Sequence, residues 1–165
     1  MTESQNTVEI PVRLDFAKHA PDFYRAVNHL DRACTAQLDK AEIEPALREL
    51  VRIRASQING CAYCIDMHTK DARAGGETEL RLYGLSAWAE TPYFNTRERA
   101  ALAFTESVTL VARDHVPAAA YAAVAEEFTP DEIGALISLI VTINAWNALA
   151  VSTRAWEPGS YEPAG

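Results

Sequence analysis

Glycine and proline are scarce, seven and eight in 165 residues. They fall below the combined ~12% of ordinary chains, which excludes collagen-like arrays and proline-rich disorder. Cysteine is scarcer still: Cys34, Cys61 and Cys64 are too few and too unevenly spaced for a secreted disulfide framework. Positive charge is short as well, with 15 Lys+Arg against 23 Asp+Glu and a net charge of −8. That balance repels phosphate backbones and provides no basic stripe, so neither nucleic acid nor an anionic membrane is an expected partner. The first residues, Met1 to Thr7, lack the basic start and apolar stretch of a secretory leader. The expected setting is the cytoplasm, where a Cys-x-x-Cys pair points to redox or metal chemistry.

Charge is missing altogether from Ile133 to Thr153, a stretch long enough to cross a membrane. Ser138, Thr142, Asn144 and Asn147 interrupt it, and its start is that of a soluble helix. Thr129 is placed to cap, Pro130 takes the first helical position, and Glu132 can close a capping box. The segment therefore reads as the long apolar core helix of a helical domain or of an oligomer interface. Its amides need partners, because an unsatisfied amide in a core costs ~1–3 kcal/mol. For Asn144, Trp146 and Asn147 the expectation is structural hydrogen bonding at a subunit contact, and Trp146, Trp156 and Tyr161 read as packing residues.

What is present is a single domain's worth of apolar residues, 48% over positions 1–165. Ile43, Leu47, Leu50, Val51, Arg54 and Ile58 recur at helical spacing, opening at Glu44-Pro45 and ending at Asn59-Gly60. A second helix runs from Cys61 to about Ala74 and stops at Gly75-Gly76, with Asp66 and Lys70 as an i,i+4 pair on its solvent side. Tyr83 to Tyr93 reads as an irregular aromatic connector. Thr96 caps a helix through Ala101, Phe104, Val108 and Val111, and Pro117 opens another through Tyr121 and Phe128. With helix from about Pro21 to Gln37 and a loop-like tail from Pro158 to Gly165, the fold class is all-α.

At 100° per residue, Cys61, Cys64, Ile65, His68 and Ala72 share one inward stripe, opposite Asp66, Lys70 and Arg73. Cys61 and Cys64 lie in the first turn, where free backbone N–H groups and the helix dipole favour thiolate, the attacking form. Three-residue spacing brings the two sulfurs near disulfide range, so Cys61 can resolve an oxidised Cys64. His68, one turn on, can exchange a proton with Cys64. Two other readings stay open: an inert packed cysteine pair, or a zinc site with a fourth ligand from Cys34, His19, His29 or His115. Ile65 after the second cysteine excludes c-type haem attachment. Cys34 has no partner motif and reads as a small buried hydrophobe.

Glu49, eleven residues, Cys61-Ala62-Tyr63-Cys64, three residues and His68 together resemble the core motif of the alkyl hydroperoxidase D family, within the carboxymuconolactone decarboxylase superfamily. Arg54 to Gly60, Asp66 to Thr69 and Ile143 to Asn147 extend the likeness over about Leu47 to Tyr161. The resemblance implies an all-helical fold, trimers or hexamers, and thiol-dependent reduction of hydroperoxides. It makes Cys64 peroxidatic and Cys61 resolving, with Glu49 and His68 in a proton relay. A lipoyl protein or thioredoxin-like dithiol would be the reductant, and no metal, haem or flavin is required. Tyr63 departs from the family's best-known branch, which has His there. On the helical wheel Glu49 falls about 160° from the apolar stripe; the resemblance turns it toward the thiols, where a raised pKa would suit a proton shuttle. The rival functions are a redox sensor or scaffold, a dithiol–disulfide exchanger without peroxidase turnover, and the superfamily's decarboxylation.

Overall fold

A computed structural model describes residues 8–163. Met1 to Thr7, on which the leader argument rests, lie outside the described residues. Helices α1 (Phe16–His19) and α2 (Pro21–Lys40) are followed by α3 (Pro45–Asn59) and α4 (Ala62–Ala74). Then come α5 (Glu79–Gly84), a 3₁₀ stretch (Leu85–Glu90), α6 (Thr96–Thr109), α7 (Val111–Asp114), α8 (Ala118–Glu127) and α9 (Pro130–Thr153). The fold is all-α. Among the described residues there is no strand.

The helix signals fall where the residues place them, with local corrections. Thr129 and Glu132 form the capping box of α9, with Pro130 at its first position. For α6 the cap is Asn95, not Thr96: its side chain accepts from the Glu98 N–H while the Glu98 carboxylate accepts from the Asn95 N–H. A box needs its acid three residues after the cap, and Thr96 has Arg99 there. α6 also stops at Thr109, short of Val111, which opens α7. The aromatic connector is largely helical, because Thr78 caps α5 and the 3₁₀ stretch follows directly.

α3 is the hub. Leu47, Leu50, Val51, Ile53, Ala55 and Ser56 are all buried, because α4, α6 and α9 pack around it. α9 buries Ile133, Leu136, Leu139, Ile140 and Ile143 in that packing, so the one helix among the described residues that is apolar and long enough to cross a membrane is the spine of the core. Its amides are satisfied inside the chain. Asn147, 1% exposed, donates to Ser56 Oγ at 3.0 Å and accepts from Asn59 at 2.9 Å. Asn144 accepts from the same Asn59 nitrogen at 2.8 Å and donates to Thr109 at 3.1 Å. Trp146 Nε1 donates to Asp31 at 3.3 Å. The structural hydrogen bonding expected for these residues is therefore found within the chain, where Asn144 and Asn147 lock α9 to the end of α3 through Asn59.

Candidate active site

The junction between α3 and α4 builds the site. Gly60 ends α3 in the left-handed region, φ +68°, which glycine adopts without a Cβ penalty. Its N–H bonds to the Gln57 carbonyl and the Cys61 N–H to the Ser56 carbonyl at 3.0 Å, a Schellman closure. Cys61 then leaves in extended backbone and becomes the N-cap of α4, its sulfur accepting from the Cys64 N–H at 3.3 Å. The residue that finishes one helix therefore starts the next, which fixes Cys61 from both sides. Helical spacing delivers Cys64 beside it, and the two sulfurs are joined as a disulfide with Cα atoms 5.3 Å apart.

Of the expected inward stripe, Cys61, Cys64, His68 and Ala72 are buried and Ile65 is half-buried. Glu49, which periodicity alone places toward solvent, joins them. Its Oε2 lies 2.9 Å from His68 Nδ1, and its side chain is only 15% exposed. The reason is that α3 is covered on several faces, so a carboxylate off the apolar stripe still meets α4. Arg52, one turn on, forms an ion pair with the other Glu49 oxygen.

Burial pushes the Glu49 carboxyl up, but the His68 hydrogen bond and the Arg52 guanidinium outweigh it. The net shift is downward, against the raised value anticipated for a shuttle. Glu49 is thus a fixed anion that orients His68 rather than a store of protons.

A cavity of about 340 Å³ opens over this group, with Cys64 and His68 on its floor. Tyr24, Tyr63, Trp146 and Trp156 wall it, and Leu139 and Ile143 add apolar surface. The aromatics brace one another: Trp156 packs on Tyr24, Tyr63 and Trp146 with ring centroids 5.9–6.4 Å apart. Trp146 and Trp156 are therefore both packing residues and cavity walls, which corrects the packing-only reading. Cys61 lines an adjoining groove instead, with Ile10, Val12, Arg13 and Arg154.

Among the described residues no cluster joins Cys34, His19, His29 or His115 to the two cysteines and His68 as a zinc site would require. Both site sulfurs are bonded to each other, Cys34 belongs to a separate core cluster, and His19, His29 and His115 are exposed. Burial pushes the Cys34 thiol up, partly offset by a hydrogen bond with Thr142, as suits an inert core residue. Sequence reasoning missed Arg52 and Asp71, although each stands three residues after a predicted site residue on the same helix. It also missed how the tail attaches. Lys70 and Asp66 do pair, at 3.1 Å, but not on a solvent face: Asp66 accepts from the Gly159 N–H at 3.0 Å and Lys70 donates to the Tyr161 carbonyl at 2.8 Å.

A model of the carboxymuconolactone decarboxylase family matches residues 21–107. The chain belongs to the carboxymuconolactone decarboxylase family. The match runs from α2 into α6 and holds Glu49, Cys61, Cys64 and His68, but it stops before the Ile143–Asn147 segment. Among its relatives, the uncharacterized protein YdfG of Bacillus subtilis (strain 168) is 37% identical over 140 residues, 85% of this chain and 92% of that one. A crystal structure from Agrobacterium tumefaciens, of a protein of unknown function linked by name to the antioxidant defence protein AhpD, superposes with a TM-score of 0.82. It is 33% identical and covers 94% of this chain and 100% of its own. The debrominase Bmp8 in complex with 2,3,4-tribromopyrrole shares the fold alone, with a TM-score of 0.70 at 16% identity over 87% of this chain and 74% of its own.

Proposed function

We propose that this family member is a thiol-dependent hydroperoxide reductase, working in the cytoplasm as a homo-oligomer. The observation that carries the reading is the Cys61–Cys64 link at the head of α4 with His68, hydrogen-bonded to Glu49, one turn beyond. In the reduced protein His68 takes the Cys64 proton. The thiolate attacks the peroxide O–O bond, and ROOH, Cys64–S⁻ and a proton become ROH and Cys64–SOH. The Cys61 thiol then displaces water to form the disulfide. A dithiol reductant, a lipoyl protein or thioredoxin-like protein, restores both thiols by two exchanges and leaves as its own disulfide. Electrons balance on sulfur and oxygen alone, so the cycle needs no metal, haem or flavin.

The cavity favours an organic hydroperoxide over hydrogen peroxide, because four aromatic side chains wall a volume in the range of small-ligand sites. Fully reduced protein mixed with a small excess of cumene hydroperoxide is expected to lose two thiols per chain within seconds. Cys64→Ser is expected to abolish that loss. Thiols that persist for minutes, or a Cys64→Ser protein that oxidises as fast, would leave a dithiol–disulfide exchanger or redox sensor as the better account.

The same cavity favours a second reading. The Cys64 thiolate beneath aromatic walls can take a halogen from a flat ring, the ring carbon taking a proton as its carbon–halogen bond breaks, and the Cys61 thiol then displaces halide from sulfur to give the disulfide, as the shared fold of a debrominase suggests. Release of bromide from a bromopyrrole by the reduced protein, measured beside peroxide consumption, decides between the two.

A further inference from the structure

The segment after α9 is a strap rather than a loose tail. Trp156 inserts among Tyr24, Tyr63 and Trp146, the Gly159 N–H bonds Asp66, and Lys70 holds the Tyr161 carbonyl. Those contacts lay Tyr161 across α4, where its hydroxyl donates to Asp71 Oδ1 at 2.6 Å. Asp71 follows His68 by three residues, so both lie on one side of α4. One oxygen each of Asp71 and Glu49 and a ring nitrogen of His68 all lie within 4.8 Å of one another.

His68 therefore has two carboxylates beside it that are treated differently. Glu49 is compensated by Arg52. Asp71 has no ion pair among the described residues, and the hydrogen bond on its carboxylate comes from Tyr161. That bond, with burial, pushes the Tyr161 hydroxyl up to about 12, so it remains a donor through the neutral range.

We propose that Tyr161, acting through Asp71, is a positioning residue for His68. Its hydroxyl draws charge from the Asp71 carboxylate and fixes its direction, which sets how strongly this second carboxylate favours an imidazolium. The strap thereby belongs to the proton route of the Cys64–His68 pair. The inference rests on the peroxidase reading for its chemical use, in which His68 must be neutral to accept the thiol proton and charged afterwards.

The groups facing His68 are few. α3 contributes Glu49 and Arg52, α4 itself Tyr63, Cys64 and Asp71, the strap Tyr161, and α2 brings Asp31 and Tyr24 across the cavity. α9 brings Leu139, Thr142 and Ile143, none of which titrates in this range.

The test is the titration midpoint of the His68 imidazole, followed by NMR in the reduced protein and assigned with His68→Gln. Tyr161→Phe, which leaves both backbone ties of the strap in place, is expected to raise the midpoint by about half a pH unit by unmasking Asp71. Asp71→Asn is expected to lower it by a similar amount, and the double variant to match Asp71→Asn alone. No movement in Tyr161→Phe, or a movement that persists when Asp71 is already Asn, overturns the proposal. Because this readout involves no peroxide, a wild-type protein that fails to consume hydroperoxide would defeat the proposed function and leave the titration result standing on its own.

Discussion

A carboxylate held beside an arginine and a histidine is kept ionised by them, and at the scale of one residue this decides what Glu49 does. Its folded pKa lies below the ordinary glutamate value of ~4.3. The stability it contributes is therefore fully present above that value and is lost as pH falls through the lower, folded one. Glu49→Gln is expected to lower unfolding free energy by about 2 kcal/mol at pH 7, the size of a hydrogen bond to a charged group. The gap between urea melts of the two proteins should narrow as pH falls below the ordinary glutamate value, as the wild-type carboxylate protonates; an equal gap at pH 3 and pH 7 would contradict the assignment. Glu49 is also where helical periodicity alone fails. A wheel ranks positions by angle and assumes one covered side, whereas α3 is enclosed by α4, α6 and α9. The motif spacing to Cys61 and His68 carries the information that the wheel lacks.

Between residues lies the α3–α4 junction, an element-scale device in which helix termination and nucleophile placement are one event. A methyl group in place of the Gly60 hydrogen would meet open space, so the obstacle to substitution is the backbone angle alone. Gly60→Ala is expected to destabilise by about 1 kcal/mol. It should also slow disulfide formation, because the Cys61 N–H bond to Ser56 and the Cys61 cap on α4 depend on that angle. Thermal melts and the rate of thiol loss after oxidation measure the two effects; a variant equal to wild type in both would show that the junction tolerates another geometry. The helices themselves are readable in sequence because their signals are local: Pro45 and Gly60 bracket α3, Thr129 and Glu132 open α9, and Gly75 closes α4. The strap is not, since its hold on α4 joins residues some ninety positions apart through Gly159 and Tyr161. Asp66 and Lys70 look solvated in sequence for the same reason, as nothing local announces a distant segment that will cover them.

For the molecule as a whole, α9 leaves one face unused. Gly134, Ile137, Val141, Ala148 and Val151 are exposed at spacings of three, four, seven and three, a single stripe without charge. Val141 is 48% and Val151 41% exposed, on a helix whose opposite face forms the core. With a net charge of −8, the chain carries its repulsion elsewhere and keeps this stripe neutral. Apolar side chains aligned in this way gain by leaving water, at roughly 25 cal/mol per Å² covered, and a second copy is the proposed cover. Wild-type protein should then scatter light as a multiple of 18.1 kDa. Val141→Glu places a charge mid-stripe, where desolvating it without a partner outweighs the apolar gain, and should shift the distribution to monomer while the Cys61–Cys64 pair still forms. A wild-type protein that is monomeric at micromolar concentration would mean that the stripe is simply tolerated, and that the cavity over Cys64 works without a neighbouring copy.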